Sequence, residues 1–389
     1  SDFFIKIEQA NQIQNMTIGG VTEEGEPVYN DLTRMCMKAA AILRYKGPNL
    51  CLRITKDMPG DIWRAALDCL ETGIGVPALY NDDVYISSLV SHGYKLETAR
   101  NYCLAGCSQI MIPGISNFYN DVGMLNIVKV FELTLYNGFD PRTNIQVGLK
   151  TGEVSGFRDF YEFYNAFCRQ IDYFCDLEVK INDKDTLYRA SCEGYAMRSL
   201  FTKDCLSRGM TVFDGGARYN NIKLEVIGIT NAADSLYAVK KAVFEKRTVT
   251  FENLLEALKS NFDGNVYLLN WLKKLEKFGN DNAELDDMRG RITKQIFDNF
   301  NSSKAVLGGI YVPGEVIFTA HEHSGRVTGA TPDGRTRGDI LADSAGASQG
   351  TDINGPTALL SSVLKIPVAD YLLTTVVVNL KFSKEMFGQ

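Results

Sequence analysis

Asn101 to Gly123 reads NYCLAGCSQIMIPGISNFYNDVG. It holds Cys103 and Cys107, with Gly106 between them, Pro113-Gly114 after them and Asn120-Asp121 near its end. Gly106 and the Pro-Gly pair are turn formers, so this backbone is expected to bend rather than form a helix. A short helical run precedes it. After it an amphipathic helix is expected from Met124 to Asn137, with Met124, Ile127, Val128, Phe131 and Leu135 on one face. Cys107 then stands at the tip of a loop held between packed elements, where a scaffold can present a reactive side chain. On local sequence alone it reads as a small buried hydrophobe, as most free cysteines do. Its company further along the chain changes that reading.

The chain has 389 residues, 45% hydrophobic and 23% charged, enough for one large core or two domains. A net charge of -6 without a basic run argues against a nucleic-acid partner. The apolar run Tyr371 to Val378 is too short to cross a membrane and contains Thr374 and Thr375, so no membrane partner is expected. The opening SDFFIKIEQ has neither a basic region nor an apolar core of the kind that directs export. Nine cysteines without framework spacing fit a reducing, cytoplasmic setting. With three histidines, His92, His321 and His323, and Cys103 four residues from Cys107, no metal site is expected.

Along the chain, a segment through Thr17-Gly20 reads as extended. Asn30 caps an expected helix that Gly47-Pro48 closes, and Leu50, Leu52 and Ile54 alternate as a strand. Asp61 is expected to cap a second helix to Leu70. Val76 to Tyr80 reads as a strand, and Asn81-Asp82-Asp83 as a cap with acidic first-turn residues. This alternation of helix and strand argues for a mostly parallel α/β sheet. Beyond Asn137, Ser155 is expected to cap a long helix whose stripe Phe160, Phe163, Tyr164, Phe167, Ile171 and Phe174 reads as core. A loop at Asp214-Asn220, helices at Ala232-Lys246, from Thr250 and at about Leu285-Phe300, and a strand at Glu315-Ala320 follow. From there to Pro356 glycine and polar residues dominate, a loop long enough to be functional or tightly packed.

Four late motifs give the chain a family likeness. DGGARYN at Asp214-Asn220, NAADSLYAVKKAVFE at Asn231-Glu245, GATPDGR at Gly329-Arg335 and ADSAGASQGTDINGPTALLSSV at Ala342-Val363 resemble the glycyl radical enzymes. More narrowly they resemble the pyruvate formate-lyase-like branch with its glycerol- and choline-type lyases. Gly106-Cys107 falls where that family carries its thiyl-radical cysteine, and VPALYND at Val76-Asp82 also matches. The resemblance implies an α/β fold in which residues 1–389 form part of a ten-stranded barrel with surrounding helices, the glycyl radical domain being absent. It implies a lyase of anaerobic metabolism in which a thiyl radical on Cys107 takes a hydrogen atom from a small polar substrate. No cofactor would be bound directly. A glycyl radical on a segment beyond this chain would be installed by a radical SAM activating enzyme, and the full-length form would be a homodimer.

Three departures qualify what the resemblance implies. Eliminating members carry Glu two residues after the cysteine, as general base. This chain has Gln109, which cannot take a proton near neutral pH. Asp121 matches another acidic position and is the remaining carboxylate; its plainer reading is a helix cap before Met124. Gly106, not a second cysteine, precedes Cys107, so strict acetyl transfer does not fit. The Arg-Val-x-Gly-Tyr loop that bears the radical is not found: Arg326-Val327-Thr328-Gly329 is followed by Ala330 and reads as a decoy. By itself the chain is therefore not expected to turn over. Phe318 and Thr319 are placed beside the substrate by the resemblance alone. Two alternatives stand beside the lyase: a non-catalytic binding or assembly protein that retains the fold, and a radical decarboxylase or carbon-carbon bond-forming enzyme.

Overall fold

Leu50, Leu52 and Ile54 do form a strand, and a sheet assembles on it. In the computed structural model β1 (Asn15–Gly19), β2 (Asn49–Ile54) and β3 (Ala78–Asn81) lie parallel in the order β1-β2-β3. The structure describes residues 1–10, 14–106, 109–117, 121–192, 195–316 and 319–382, with the backbone alone at 121, 122 and 370. The helices Asp31–Leu43 and Gly60–Glu71 cover one face, packing Met37, Ile62 and Ala66 with Leu50 and Leu52. Asn30 caps the first helix as expected, accepting from Thr33 N at 3.2 Å. The second is capped by Pro59 instead of Asp61. Asp61 lies in the first turn, where Arg34 claims its carboxylate at 2.6 Å.

The chain then makes an antiparallel hairpin of β4 (Cys103–Ala105) and β5 (Gln109–Met111). β6 (Asp121–Asn126) follows, and β7 (Phe139–Asp140) with β8 (Ile145–Gln146) forms a small second hairpin. β9 (Ile222–Ile227) and β10 (Tyr311–Gly314) complete a second parallel sheet in the order β10-β9-β6. The α/β class and its parallel pairing are thus as the helix-strand alternation predicts. Pro313, which has no N–H to give, sits on the edge strand of that sheet.

Several boundaries differ from expectation. The helix expected from Met124 begins at Ile127, because Asn126 is the cap and accepts from Lys129 N at 3.1 Å. Met124 and Leu125 belong to β6, and Asp121 opens that strand instead of capping a helix. Of the strand expected at Glu315-Ala320, residues 317 and 318 lie outside the described ones; the described strand before it is β10, and Ala320 starts the helix Ala320–Arg326. Ser155 lies in a 3-10 turn, and the long helix runs Phe160–Cys192. Between the loop at Asp214-Asn220 and the following helix stands β9, which no expectation covers. That helix starts early, at Ile229, and turns into a π-helical segment at Lys240–Glu245. The aromatic stripe is core as read: Phe163 and Phe167 meet Phe131 edge-on, with ring centroids 5.8 and 5.6 Å apart.

The late motifs tie one another down. Asn231, buried on the helix Ile229–Val239, accepts from Ala342 N at 2.6 Å and donates to Asp333 Oδ2 at 2.9 Å and Ser348 Oγ at 3.1 Å. Thr230 Oγ1 donates to Gly346 O at 2.9 Å. Within the turn, Asp333 Oδ1 accepts from Thr331 Oγ1 at 2.6 Å, and Arg335 Nη1 donates to Asp339 O at 2.8 Å. One asparagine therefore joins three of the four motifs, and the long loop is packed structure. Asn231→Ala removes three hydrogen bonds, two of them buried and one partly buried, and strands their partners. The expected loss is roughly 2–4 kcal/mol of unfolding free energy in urea titration.

Asp234, one turn further along, accepts from Phe278 N at 2.8 Å. Burial pushes its pKa up to about 7, against the pull of Lys277. The folded state therefore holds this proton where the unfolded chain has released it, and the carboxyl draws stability away as pH rises from about 4 to about 7. Asp234→Asn keeps the acceptor oxygen. It is expected to match the parent near the low end of that window and to exceed it increasingly with pH, by at most roughly 4 kcal/mol. Unfolding curves across pH check this.

Candidate active site around the cysteine hairpin

Ala105 and Gln109 pair across the hairpin, leaving residues 106–108 to connect its strands. Gly106 has φ +55°, a left-handed conformation that glycine enters without a Cβ penalty. Cys107 itself, and Phe318, lie outside the described residues. The residues on either side of Cys107, from Tyr102 to Gly106 and from Gln109 to Met111, are described and are bonded to both sheets.

From the first sheet, Asn15 Nδ2 donates to Gly106 O at 2.9 Å, and Thr17 Oγ1 accepts from Leu104 N at 3.0 Å. Both residues stand on β1, the strand nearest the hairpin. Arg53, on the central strand β2 and 5% exposed, donates through Nη1 to Tyr102 O at 3.1 Å. Its Nε and Nη2 hold Asp82 in a two-pronged pair at 2.6 and 3.0 Å, and its guanidinium stacks 4.0 Å from the Tyr102 ring centroid. From the second sheet, Lys223 on β9, 7% exposed, donates to Ile110 O at 2.6 Å. Ile222, Leu224 and Val226 pack on the opposite face of β9 into the large helical core, so alternation turns Lys223 toward the hairpin.

Of the residues expected at the site, Gln109 is 4% exposed on β5, next to the carbonyl that Lys223 holds. Asp121 is the register partner of Lys223 across β6 and β9. For Asp121 the backbone alone is described, so what the structure gives is its strand register with Lys223. Thr319 is exposed and precedes the helix Ala320–Arg326, so it stands at a helix start and not in a strand. Arg53 and Lys223 are buried neighbours of the hairpin that residue spacing did not single out. The available signal for Lys223 was a charge alternating with Ile222, Leu224 and Val226.

The electrostatics favour thiols over thiolates. Burial raises the pKa of Cys103, with Lys223 and Arg53 pulling against it, and burial pushes Cys51 up to about 12. Beside β5 the described residues enclose a cavity of about 20 Å³ between Tyr94, Tyr219, Asn221, Lys223 and Leu373, room for about one water. Tyr94 and Tyr219 stack there at 4.1 Å. Among the described residues no group of three or more His, Cys, Asp or Glu is placed to hold a metal ion, and no helix is long and apolar enough to cross a membrane.

The fold has close counterparts. It superposes on the glycerol-bound form of the B12-independent glycerol dehydratase from Clostridium butyricum with a TM-score of 0.90 at 33% identity, covering 93% of this chain and 46% of that one. A structure of 1,2-propanediol dehydration in Roseburia inulinivorans matches with a TM-score of 0.92 at 32% identity, over 97% of this chain and 48% of the other. The pyruvate formate lyase-like family model matches residues 3–325. In sequence, trans-4-hydroxy-L-proline dehydratase of Clostridioides difficile is 30% identical over 353 residues, 90% of this chain and 45% of that protein. The chain belongs to the glycyl radical enzymes, in their pyruvate formate-lyase-like branch. It spans about half the length of the curated relatives it matches.

Arg53 is the least replaceable residue of this shell. Arg53→Met leaves the Asp82 carboxyl buried and without its cation, and about 3–5 kcal/mol of stability is expected to go with it. Adding Asp82→Asn removes the stranded carboxyl and is expected to restore at least half of the loss, as read from denaturant midpoints.

Proposed function

We propose that this chain is the thiyl-bearing portion of a glycyl radical lyase acting on a small polar molecule. The observation that carries the proposal is the hold on the hairpin strands that flank Cys107 in sequence: Asn15 and Thr17 on β1 bond Gly106 and Leu104, and Lys223 on β9 bonds Ile110. In the reaction, a thiyl sulfur on Cys107 takes one hydrogen atom from a substrate carbon, becoming a thiol and leaving a carbon radical. That radical loses a group or breaks a neighbouring bond, and the product radical recovers hydrogen from the thiol. The high pKa values of the neighbouring thiols fit a pocket in which sulfur stays protonated and exchanges hydrogen atoms instead of acting as an anion. A radical that lasts through this cycle needs to be kept from water and oxygen, which a hairpin enclosed between two sheets favours. The initiating radical belongs to a glycine beyond this chain and is installed by a radical SAM activating enzyme.

Gln109 bears on the type of cleavage. An amide orients a substrate through hydrogen bonds but takes no proton, so Asp121 is the acid-base group assigned to the site. The same residue supports a second reading, decarboxylation or another carbon-carbon bond change, which needs no base at that position. Product analysis separates the two, since elimination releases a heteroatom group and decarboxylation releases carbon dioxide.

The test uses the protein with its radical-bearing partner segment and activating enzyme under anaerobic conditions. Cys107→Ala is expected to retain the organic radical signal and lose turnover completely. Unaltered turnover in that variant overturns the proposal, and with it any role for this loop in chemistry.

A further inference from the structure

A second cavity, of about 270 Å³, opens between the helix Ile127–Leu135, the helix Phe251–Lys259 and the turn Arg326-Ala330. None of its lining residues belongs to the cysteine hairpin. Four cations line it, Arg142, Lys259, Arg326 and Arg337, in a chain whose net charge is -6. Glu132 is the one carboxylate in the lining. It is already satisfied, by an ion pair with Lys129 and by Gly329 N, which donates to its Oε1 at 3.1 Å. A side chain at Gly329 would meet that same oxygen at 2.5 Å, so the turn is built to close on Glu132.

Helix C-termini attract cations, and this accounts for two of the four. Lys259 pairs with Glu256 at 2.7 Å and Arg326 with Glu322 at 3.2 Å, each on its own helix. Arg142 and Arg337 come from loops. Arg337 donates to Lys259 O at 3.3 Å and has no carboxylate partner among the described residues. The Arg142 side chain has neither a hydrogen bond nor an ion pair among them. Two exposed arginines without a carboxylate partner among the described residues therefore line one cavity, whose walls also carry Tyr136, Leu258 and Val327. Guanidinium forks match phosphate and carboxylate oxygens two at a time, and the apolar walls suit an organic body behind such a head.

We infer that this cavity binds a small organic anion, through a phosphate or carboxylate group held by Arg142 and Arg337. The site is separate from the radical chemistry and stands whether or not Cys107 is catalytic. Titration calorimetry of the purified protein at low ionic strength, with inorganic phosphate and with citrate as probes, tests it. Saturable binding of one equivalent of either probe is expected, and which probe binds tells the two head groups apart. The double variant Arg142→Gln/Arg337→Gln is expected to weaken it at least tenfold, while Arg158→Gln, outside the cavity lining, leaves it unchanged. Absence of saturable binding by both probes, or equal affinity in the double variant with its circular dichroism intact, overturns the inference.

Discussion

Two buried cations hold the hairpin from opposite sheets, and the rest of the candidate site depends on them. Arg53 reaches from β2 to the carbonyl of Tyr102, just before β4, and Lys223 reaches from β9 to the carbonyl of Ile110, within β5. A buried charge is tolerated only when it is paired or hydrogen-bonded, so each cation is committed to its position. Arg53 is balanced by Asp82; Lys223 stands in register with Asp121. Because the two grips fall at Tyr102 and at Ile110, neither strand of the hairpin slides along its sheet without breaking a charged hydrogen bond.

The helices serve this arrangement from outside. One core packs the helices Asp31–Leu43 and Gly60–Glu71 on β1–β3, and a larger one packs the aromatic stripe of Phe160–Cys192 and the helices Ile229–Val239 and Ala283–Asn301 around the β6-β9-β10 sheet. A third cluster joins them across the hairpin, through Tyr80, Tyr85, Tyr102, Leu104, Ile110 and Val312. The Arg289–Glu315 pair, fully buried at 2.7 Å, anchors the end of β10 to the helix behind it. Asn231 then closes the long glycine-rich loop over the same helices. Packing at this density passes little slack to the loop.

What could be read from sequence was what acts over short range. Asn30, Asn81 and Thr250 are caps because each side chain meets an N–H three residues ahead, an interaction that spacing displays. The family likeness was legible because four motifs occur in order, although three of them proved to be tied to one another by hydrogen bonds through Asn231. Boundaries failed where one run satisfies two periods: Met124 to Leu135 fits a helix throughout, and only the Asn126 cap divides strand from helix. The grips themselves were out of reach. Arg53 and Asp82 are 29 residues apart, Lys223 and Ile110 are 113 apart, and neither pairing has a local pattern.

Hydrogen exchange at the hairpin amides tests the central claim most directly. The account predicts that the segment Tyr102-Ile112 is strongly protected in the parent and that Lys223→Met raises its exchange by an order of magnitude or more, with the helix Phe160–Cys192 unchanged. Rapid exchange of the hairpin in the parent, or protection that ignores the loss of Lys223, would contradict it.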